Sequence, residues 1–425
     1  MTKMSRRHAL GTISGFAAAA ALPAMPAFAA DRTIRHFWWG NPNRDERTFK
    51  VIEAFQKSHP EIEVSGETIG WGDYWTKMAT QTAGKNMADL VQMDYRYLFE
   101  YVYRGALLPL DEYIGNGLDL SNFDKGPLSG GMVDGKLYAL NIGSNSQVIP
   151  FNKRLFEEAG VSADVINWTR DDFAAACEQI TSKTGARGAD DFSLAIENLE
   201  GWTRQEGRDF YDADGNITGT VEDVASYWQY WSDLRNAGVV APADKTVILD
   251  VKMSDSGIVT GETAMSLFWS NQLVAIQSLM TDEIGAAMVP HKPGGGFAQF
   301  IKPSMFMSLT RDTKDPEAAI AYMNNWINDP ESTQILGLER GIPANANVRA
   351  ALAPSFTPAE KLSVDYFNAI QDKVGPLPLP QPKGAGEVRD AFMRVGTEVV
   401  LGQMSAQDAA ADFIQEAQDI IDRAR

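Results

Sequence analysis

The apolar residues near the start of the chain switch between two periods. Residues 34–39 form a short β-prone run that stops in the turn Gly40-Asn41-Pro42-Asn43-Arg44. Over residues 45–58, Phe49, Ile52 and Phe55 recur every third position among lysines and glutamates, which predicts a helix closed off by Pro60. Residues 61–64 alternate as a strand does. Gly70-Trp71-Gly72-Asp73-Tyr74-Trp75 opens a second helix, with Asp73 as its expected cap and Trp75, Met78 and Ala79 on its packed side. Asp89-Leu90-Val91-Gln92-Met93 reads as a buried strand, and Asp94-Tyr95-Arg96 leads into a third helix. This β-α-β-α alternation predicts an α/β fold, a mostly parallel sheet covered by helices. Right-handed crossovers then place all three strand-to-helix turns on one edge, where open α/β sheets bind ligands.

Farther on, Val133-Asp134-Gly135-Lys136-Leu137 predicts a hairpin with a type I′ turn. Residues 138–151 are extended, and their middle, Gly143-Ser144-Asn145-Ser146-Gln147, is small and polar, as suits a crossing between two lobes. Asn152 and Thr169 are expected helix caps, the second helix turning Phe173, Ala176, Cys177 and Ile180 inward. Val224, Tyr227, Trp231 and Leu234 mark the packed side of a helix over 222–236. Residues 261–269 run from a turn into a strand that ends at Trp269, and Ser270-Asn271-Gln272 starts a helix. A second tryptophan thus stands at a strand end beside polar groups. Residues 305–309 cross back, Asp315-Pro316 starts a helix carrying Ile320, Met323 and Trp326, and Arg340-Gly341-Ile342-Pro343-Ala344-Asn345 is a loop with a guanidinium at its head. Residues 376–380, Pro-Leu-Pro-Leu-Pro, must be extended, and two helices over about 386–401 and 405–423 follow.

Ser5-Arg6-Arg7-His8-Ala9-Leu10, an alanine-rich stretch over 11–22 and Ala27-Phe28-Ala29 read as a twin-arginine leader with a small-x-small cleavage site over residues 1–29. The apolar part is too short to span a bilayer, no cysteine follows it to carry a lipid, and the expected location is the periplasm. Loss of Lys3, Arg6 and Arg7 would take the net charge from −18 to about −21, which argues against nucleic acid and anionic membrane surfaces as partners. The one cysteine, Cys177, allows no intramolecular disulfide and falls on a packed helix face. His36, His59 and His291 are widely spaced and lack a ligand motif. The run from Asp212 holds Ile217 and Asp223 where a calcium loop needs Gly and Glu, so no metal or other cofactor is expected. Roughly 395 residues beyond the leader exceed one hydrophobic core and predict two lobes.

The chain resembles the carbohydrate-binding subunits of bacterial ABC importers, the extracellular solute-binding proteins of family 1. The fragments that carry the resemblance run in the family's order: Phe37-Trp38-Trp39-Gly40, Gly70-Trp71 through Trp75, Asp89 through Asp94, Asp134-Gly135-Lys136-Leu137-Tyr138, Phe151-Asn152-Lys153-Arg154-Leu155-Phe156-Glu157-Glu158-Ala159-Gly160, Trp168-Thr169, the Gly261 turn, Arg340-Gly341-Ile342-Pro343-Ala344-Asn345 and Gly402-Gln403-Met404-Ser405. Phe151 stands where tyrosine is usual, and the first turn lacks the acidic-Arg-His ending of many relatives. The resemblance implies a two-lobed periplasmic binding protein fold, with a ligand cleft between lobes joined by hinge strands. Residues 31–145 with 303–344 would form one lobe and 146–302 with 345–425 the other. It further implies a monomer that binds a small carbohydrate and hands it to the permease subunits of a membrane complex.

A pyranose offers an apolar C–H face and a rim of hydroxyls, so it calls for flat aromatic surface and planar groups that bond two neighbouring hydroxyls. The turns supply such sets, giving Trp39, Asn41, Arg44, Trp71, Asp94, Tyr95, Asn145, Trp269, Asn271 and Arg340 as candidate ligand-binding residues. Strand alternation puts Trp38 and Trp39 on opposite faces, with Trp39 as the ligand platform and Trp38 as packing. Trp231 and Trp326 fall in cores by helical spacing. Arg44 and Arg340 could alternatively clamp an anionic group such as a uronate or sulfonate. An exported glycoside hydrolase, which would need two carboxyls across a cleft, is the enzyme alternative. No catalytic residue is assigned, and the expected role is binding.

Overall fold

A computed structural model describes residues 32–40, 42–248, 251–296, 299–379 and 381–425. The expected leader and Asn41 lie outside the described residues. Ten strands follow in chain order: β1 (Arg32–Trp39), β2 (Ile62–Ile69), β3 (Leu90–Met93), β4 (Met132–Val133), β5 (Lys136–Leu137), β6 (Leu140–Asn145), β7 (Gln147–Asn152), β8 (Phe268–Trp269), β9 (Ile284–Ala287) and β10 (Lys302–Leu309). The larger sheet has the order β2-β1-β3-β10-β6, with β1 parallel to β2 and β3, and β10 antiparallel to its neighbours. A smaller sheet, β8-β7-β9, is antiparallel throughout.

Helices α1 (Pro42–Ser58), α2 (Trp71–Ala83) and α3 (Tyr95–Tyr103) each follow directly on one of the parallel strands. Their N-termini therefore share one sheet edge. Alternation along β1 sends Ile34, His36 and Trp38 to one face and Phe37 and Trp39 to the other, and each face is covered by helices. The first face packs Trp38 against α1 residues Val51, Ile52 and Phe55 and against Tyr322 and Trp326 of helix Pro316–Asn328. The second face packs Phe37 and Trp39 with Tyr74 and Met78 of α2.

Two local expectations are corrected. The cap of α2 is Gly70, and Asp73 sits in the first turn, where a negative charge still complements the helix dipole. The fully buried side of α2 is Tyr74, Met78 and Thr82, spaced four apart; Trp75 is partly buried beside them against Trp39 and Tyr97, whereas Ala79 is exposed. Elsewhere Asp134 and Gly135 have φ of 50° and 78°, the positive angles of a type I′ hairpin turn. Thr169 makes a reciprocal capping box with Asp172, and its helix, Arg170–Thr184, buries Phe173, Ala176, Cys177 and Ile180.

The smaller sheet is wrapped by helices whose side chains form a separate core, including Phe173, Trp228, Trp231, Phe392 and Phe413. The chain passes between the two cores at β6/β7, before β10 and in the loop after Arg340. These passages bond to one another: Lys302 is in register with Asn145, and Ser144 exchanges backbone hydrogen bonds of 2.8 and 2.9 Å with Ile342. The fit is tight enough to require glycine. A Cβ on Gly143 would lie 2.0 Å from the Arg340 carbonyl oxygen, and Gly341, at φ +109°, faces Ser144 at 3.0 Å.

Candidate functional site

Trp39 and Trp71 meet at the shared edge of the parallel strands, with ring centroids 5.0 Å apart and planes at 82°. Tyr74 and Trp75 complete the contact around Trp39, and Trp75 stacks on Tyr97 of α3 at 3.8 Å. The result is a continuous aromatic wall built from a strand end and two helix starts. Trp39 is only 7% exposed within it, and the open indole is that of Trp71, at 41%. Strand position alone points to Trp39 as the platform, but the open indole is that of Trp71, because Trp39 spends its faces on its aromatic neighbours. Trp38 is fully buried, and its indole N–H donates to Asp45 at 2.8 Å.

Arg44 and Arg340 do come together, but on a shared carboxylate. Arg44 donates to Glu339 at 2.9 Å, and Arg340 donates to Glu339 at 3.2 Å, to Gln92 at 3.2 Å and to Thr48 at 2.8 Å. Arg340 is 4% exposed, and burial pulls its pKa down to about 9 despite Glu339. Its guanidinium also lies 5.0 Å from the Trp326 ring. Both arginines brace the underside of the wall, so the expected arginine clamp is corrected to a structural strut. Asp94 caps α3, accepting from the Arg96 backbone N–H at 2.9 Å. Tyr95 reaches the proline-rich segment and donates to the Pro378 carbonyl at 3.0 Å, and burial raises its phenol to about 12, with Asp209 nearby.

A second cluster of candidate residues lies at the end of the small sheet. Trp269 pairs with Gln147, is half-buried, and has the ammonium of Lys302 5.0 Å from its ring centroid. Gln147 donates to Asn198 at 3.1 Å. Asn145 is buried, and its Oδ1 has no hydrogen-bond partner among the described residues. Arg204 lies over Phe300 at 5.5 Å and donates to the Pro376 carbonyl, and its Nη1 is likewise buried without a partner among the described residues. Asn271 is exposed on the turn Ser270–Gln272, and none of its contacts joins it to the other candidates.

Lys302, Gln147 and Arg204 were not singled out from the sequence. Lys302 carried one signal, its place at a crossing between lobes. Gln147 closes the small polar run 143–147 expected at the same kind of crossing, and Arg204 sits in a run with no turn or strand-end tryptophan of its own. A cavity of about 1650 Å³ lies elsewhere, beside Arg187, Asp190, Thr263 and Asp282, and none of the candidates lines it. Asp190 there is held by Thr263 and Ser266, which accounts for its burial without a ligand.

The chain matches the bacterial extracellular solute-binding proteins over residues 42–333 and belongs to that family, whose role is to bind solutes outside the cytoplasm. It superposes on a family 1 extracellular solute-binding protein from Alicyclobacillus acidocaldarius with a TM-score of 0.84 and 31% identity, covering 92% of this chain and 98% of that one. A periplasmic oligogalacturonide-binding protein from Yersinia enterocolitica shares the two-lobed fold, with a TM-score of 0.77 and 24% identity, covering 92% and 99%. An arabinooligosaccharide-binding protein from Halalkalibacterium halodurans is 27% identical over 132 residues, 30% of this chain and 28% of its own length. The matched stretches span about a third or less of the curated relatives. Among the described residues, no helix is long and apolar enough to cross a membrane.

Proposed function

We propose that this protein is the periplasmic substrate-binding subunit of an ABC importer, capturing a sugar or small oligosaccharide and delivering it to a membrane permease. The observation that carries the reading is a pair of aromatic faces, at Trp71 and Trp269, together with two buried atoms, Asn145 Oδ1 and Arg204 Nη1, that have no hydrogen-bond partner among the described residues. Aromatic surface fits a pyranose face, and unpaired polar groups fit its hydroxyl rim. The relatives whose names specify arabinooligosaccharide or oligogalacturonide binding support a carbohydrate over a peptide or metal.

In this reading residues 31–145 with 303–344 form one lobe, and 146–302 with 345–425 form the other. The bonded crossings at Ser144, Lys302 and Ile342 act as the hinge. A twin-arginine leader over 1–29 directs export, the protein works as a monomer, and it catalyses no reaction. A disaccharide of roughly 23 heavy atoms at about −0.3 kcal/mol each would bind with a Kd of about 10 μM. A thermal-shift screen over mono- and oligosaccharides, amino acids and peptides tests the proposal, since bound ligand raises apparent stability by mass action. A shift with at least one saccharide is expected. Shifts confined to amino acids or peptides would refute the carbohydrate reading, and turnover of an oligosaccharide would refute the absence of catalysis.

A further inference from the structure

Every arginine that the sequence placed near the ligand is committed to a carboxylate or a backbone carbonyl, but one cation in the cleft is not. Lys302 begins β10 at the point where the chain passes from one core to the other. Its ammonium lies over Trp269 at 5.0 Å from the ring centroid. Among the described residues, no hydrogen-bond acceptor and no carboxylate at ion-pair distance engages it. A π face satisfies one side of an ammonium and leaves its N–H donors without acceptors.

The charges around Lys302 point the same way. Asp94, the acid whose field reaches it, is already engaged in capping α3. Arg96, exposed on the first turn of α3, adds a second positive charge that is felt by both Lys302 and Arg389 on helix Ala385–Val400. Burial lowers the Lys302 pKa, and Arg96 lowers it further, while Asp94 partly offsets them. In a chain of net charge −18, Lys302, Arg96 and Arg389 gather three cations at one corner, with Asp94 as the acid that Lys302 feels without an ion pair in contact. A desolvated ammonium with no carboxylate in contact is costly, and an anionic ligand group would remove that cost.

We propose that the ligand is an acidic saccharide whose carboxylate is read by Lys302, with the sugar ring carrying it seated beside Trp269. This deepens the carbohydrate reading above and rests on it. It replaces the arginine clamp with a single lysine at the hinge, so ligand charge would be sensed where the lobes rotate.

The test is isothermal titration of uronate oligosaccharides (galacturonate, glucuronate and mannuronate, one to three units) beside their neutral parents. The panel is run on the wild-type protein, Lys302→Met and Lys302→Arg. The expected result is a uronate bound about 10-fold or more tighter than its neutral parent by the wild type, since hydrogen bonds to charged groups are the stronger class. That preference should fall below about 3-fold in Lys302→Met, be partly retained in Lys302→Arg, and shrink with added salt in the wild type. Equal binding of uronate and neutral parent by the wild type would overturn the charge inference while leaving the carbohydrate reading intact. So would an equal loss for both sugars in Lys302→Met with an unchanged melting temperature. Binding of no saccharide in the panel would overturn both.

Discussion

The two clusters proposed as walls of the ligand site are built in opposite ways. The wall on the parallel sheet is complete in itself: Trp39, Trp71, Tyr74, Trp75 and Tyr97 pack on one another, and the arginines beneath are bound to Glu339, Gln92 and Thr48. The wall on the antiparallel sheet is incomplete. Trp269 is half-buried, and among the described residues the Lys302 ammonium has a π face but no hydrogen-bond acceptor, and Arg204 keeps a buried N–H unpaired. The first wall is preorganised and offers shape. The second holds unmet hydrogen-bonding capacity, which a ligand would meet, and so offers specificity. Stability and recognition are therefore expected to respond to different residues on the two sides.

The largest expected effect breaks the strut under the first wall. Arg340→Met should cost about 3–5 kcal/mol in urea unfolding, because Glu339, Gln92 and Thr48 lose a buried partner. A ligand-clamping arginine would instead cost affinity with little stability. Trp39→Ala should cost about 3 kcal/mol by the same measurement, the loss expected of a core aromatic.

Acidification should weaken the first lobe through His36, which is buried beside Arg340 and Tyr322. Burial, reinforced by Arg340, lowers its pKa to about 3 from an ordinary 6.5. The unfolded chain therefore takes up a proton as pH falls below 6.5 while the folded protein does not. The stability tied to the neutral ring is complete above that pH and is lost toward pH 3, by up to about 1.4 kcal/mol per unit. His36→Gln should flatten this limb in unfolding measured between pH 7 and 4.

Smaller effects belong to recognition. Trp71→Ala and Trp269→Ala should each weaken binding of a saccharide identified by thermal shift about 10-fold in titration, with melting nearly unchanged. A large drop in melting for Trp269→Ala would remove the contrast between the walls. Smallest, Tyr95→Phe deletes the bond to the Pro378 carbonyl, one of the links from α3 to the proline-rich segment. About 1 kcal/mol, or roughly 5-fold in affinity, should be lost, with a larger radius of gyration in the presence of ligand if that bond holds the lobes closed.

What was legible in the sequence is what depends on neighbours along the chain. The helix α1 with Ile52 and Phe55 buried, though not the exposed Phe49, the opposite faces of Trp38 and Trp39, the Asp134-Gly135 turn and the Thr169 cap are all set within a few residues. The availability of a charged side chain is not local. Glu339 lies 295 residues from Arg44, and Gln92 lies 248 from Arg340, so both guanidiniums looked free in a one-dimensional reading. Trp39 and Trp71 were both legible as strand-edge aromatics, but their ranking depends on which of them the others cover. Lys302 was illegible because what marks it is the absence of a partner, which shows only when all its neighbours are in place.

The sheet order β2-β1-β3-β10-β6 also constrains how the chain is made. Until residues 302–309 have left the ribosome, β3 lacks one neighbour and β6 has none, so two strand edges stand open while the intervening chain is made. The first lobe cannot finish before most of the second has been translated. Such long-range closure slows folding and exposes sticky edges to other chains. Slow assembly of the larger sheet, rather than weakness of the finished protein, is then the stage at which chaperones would matter most.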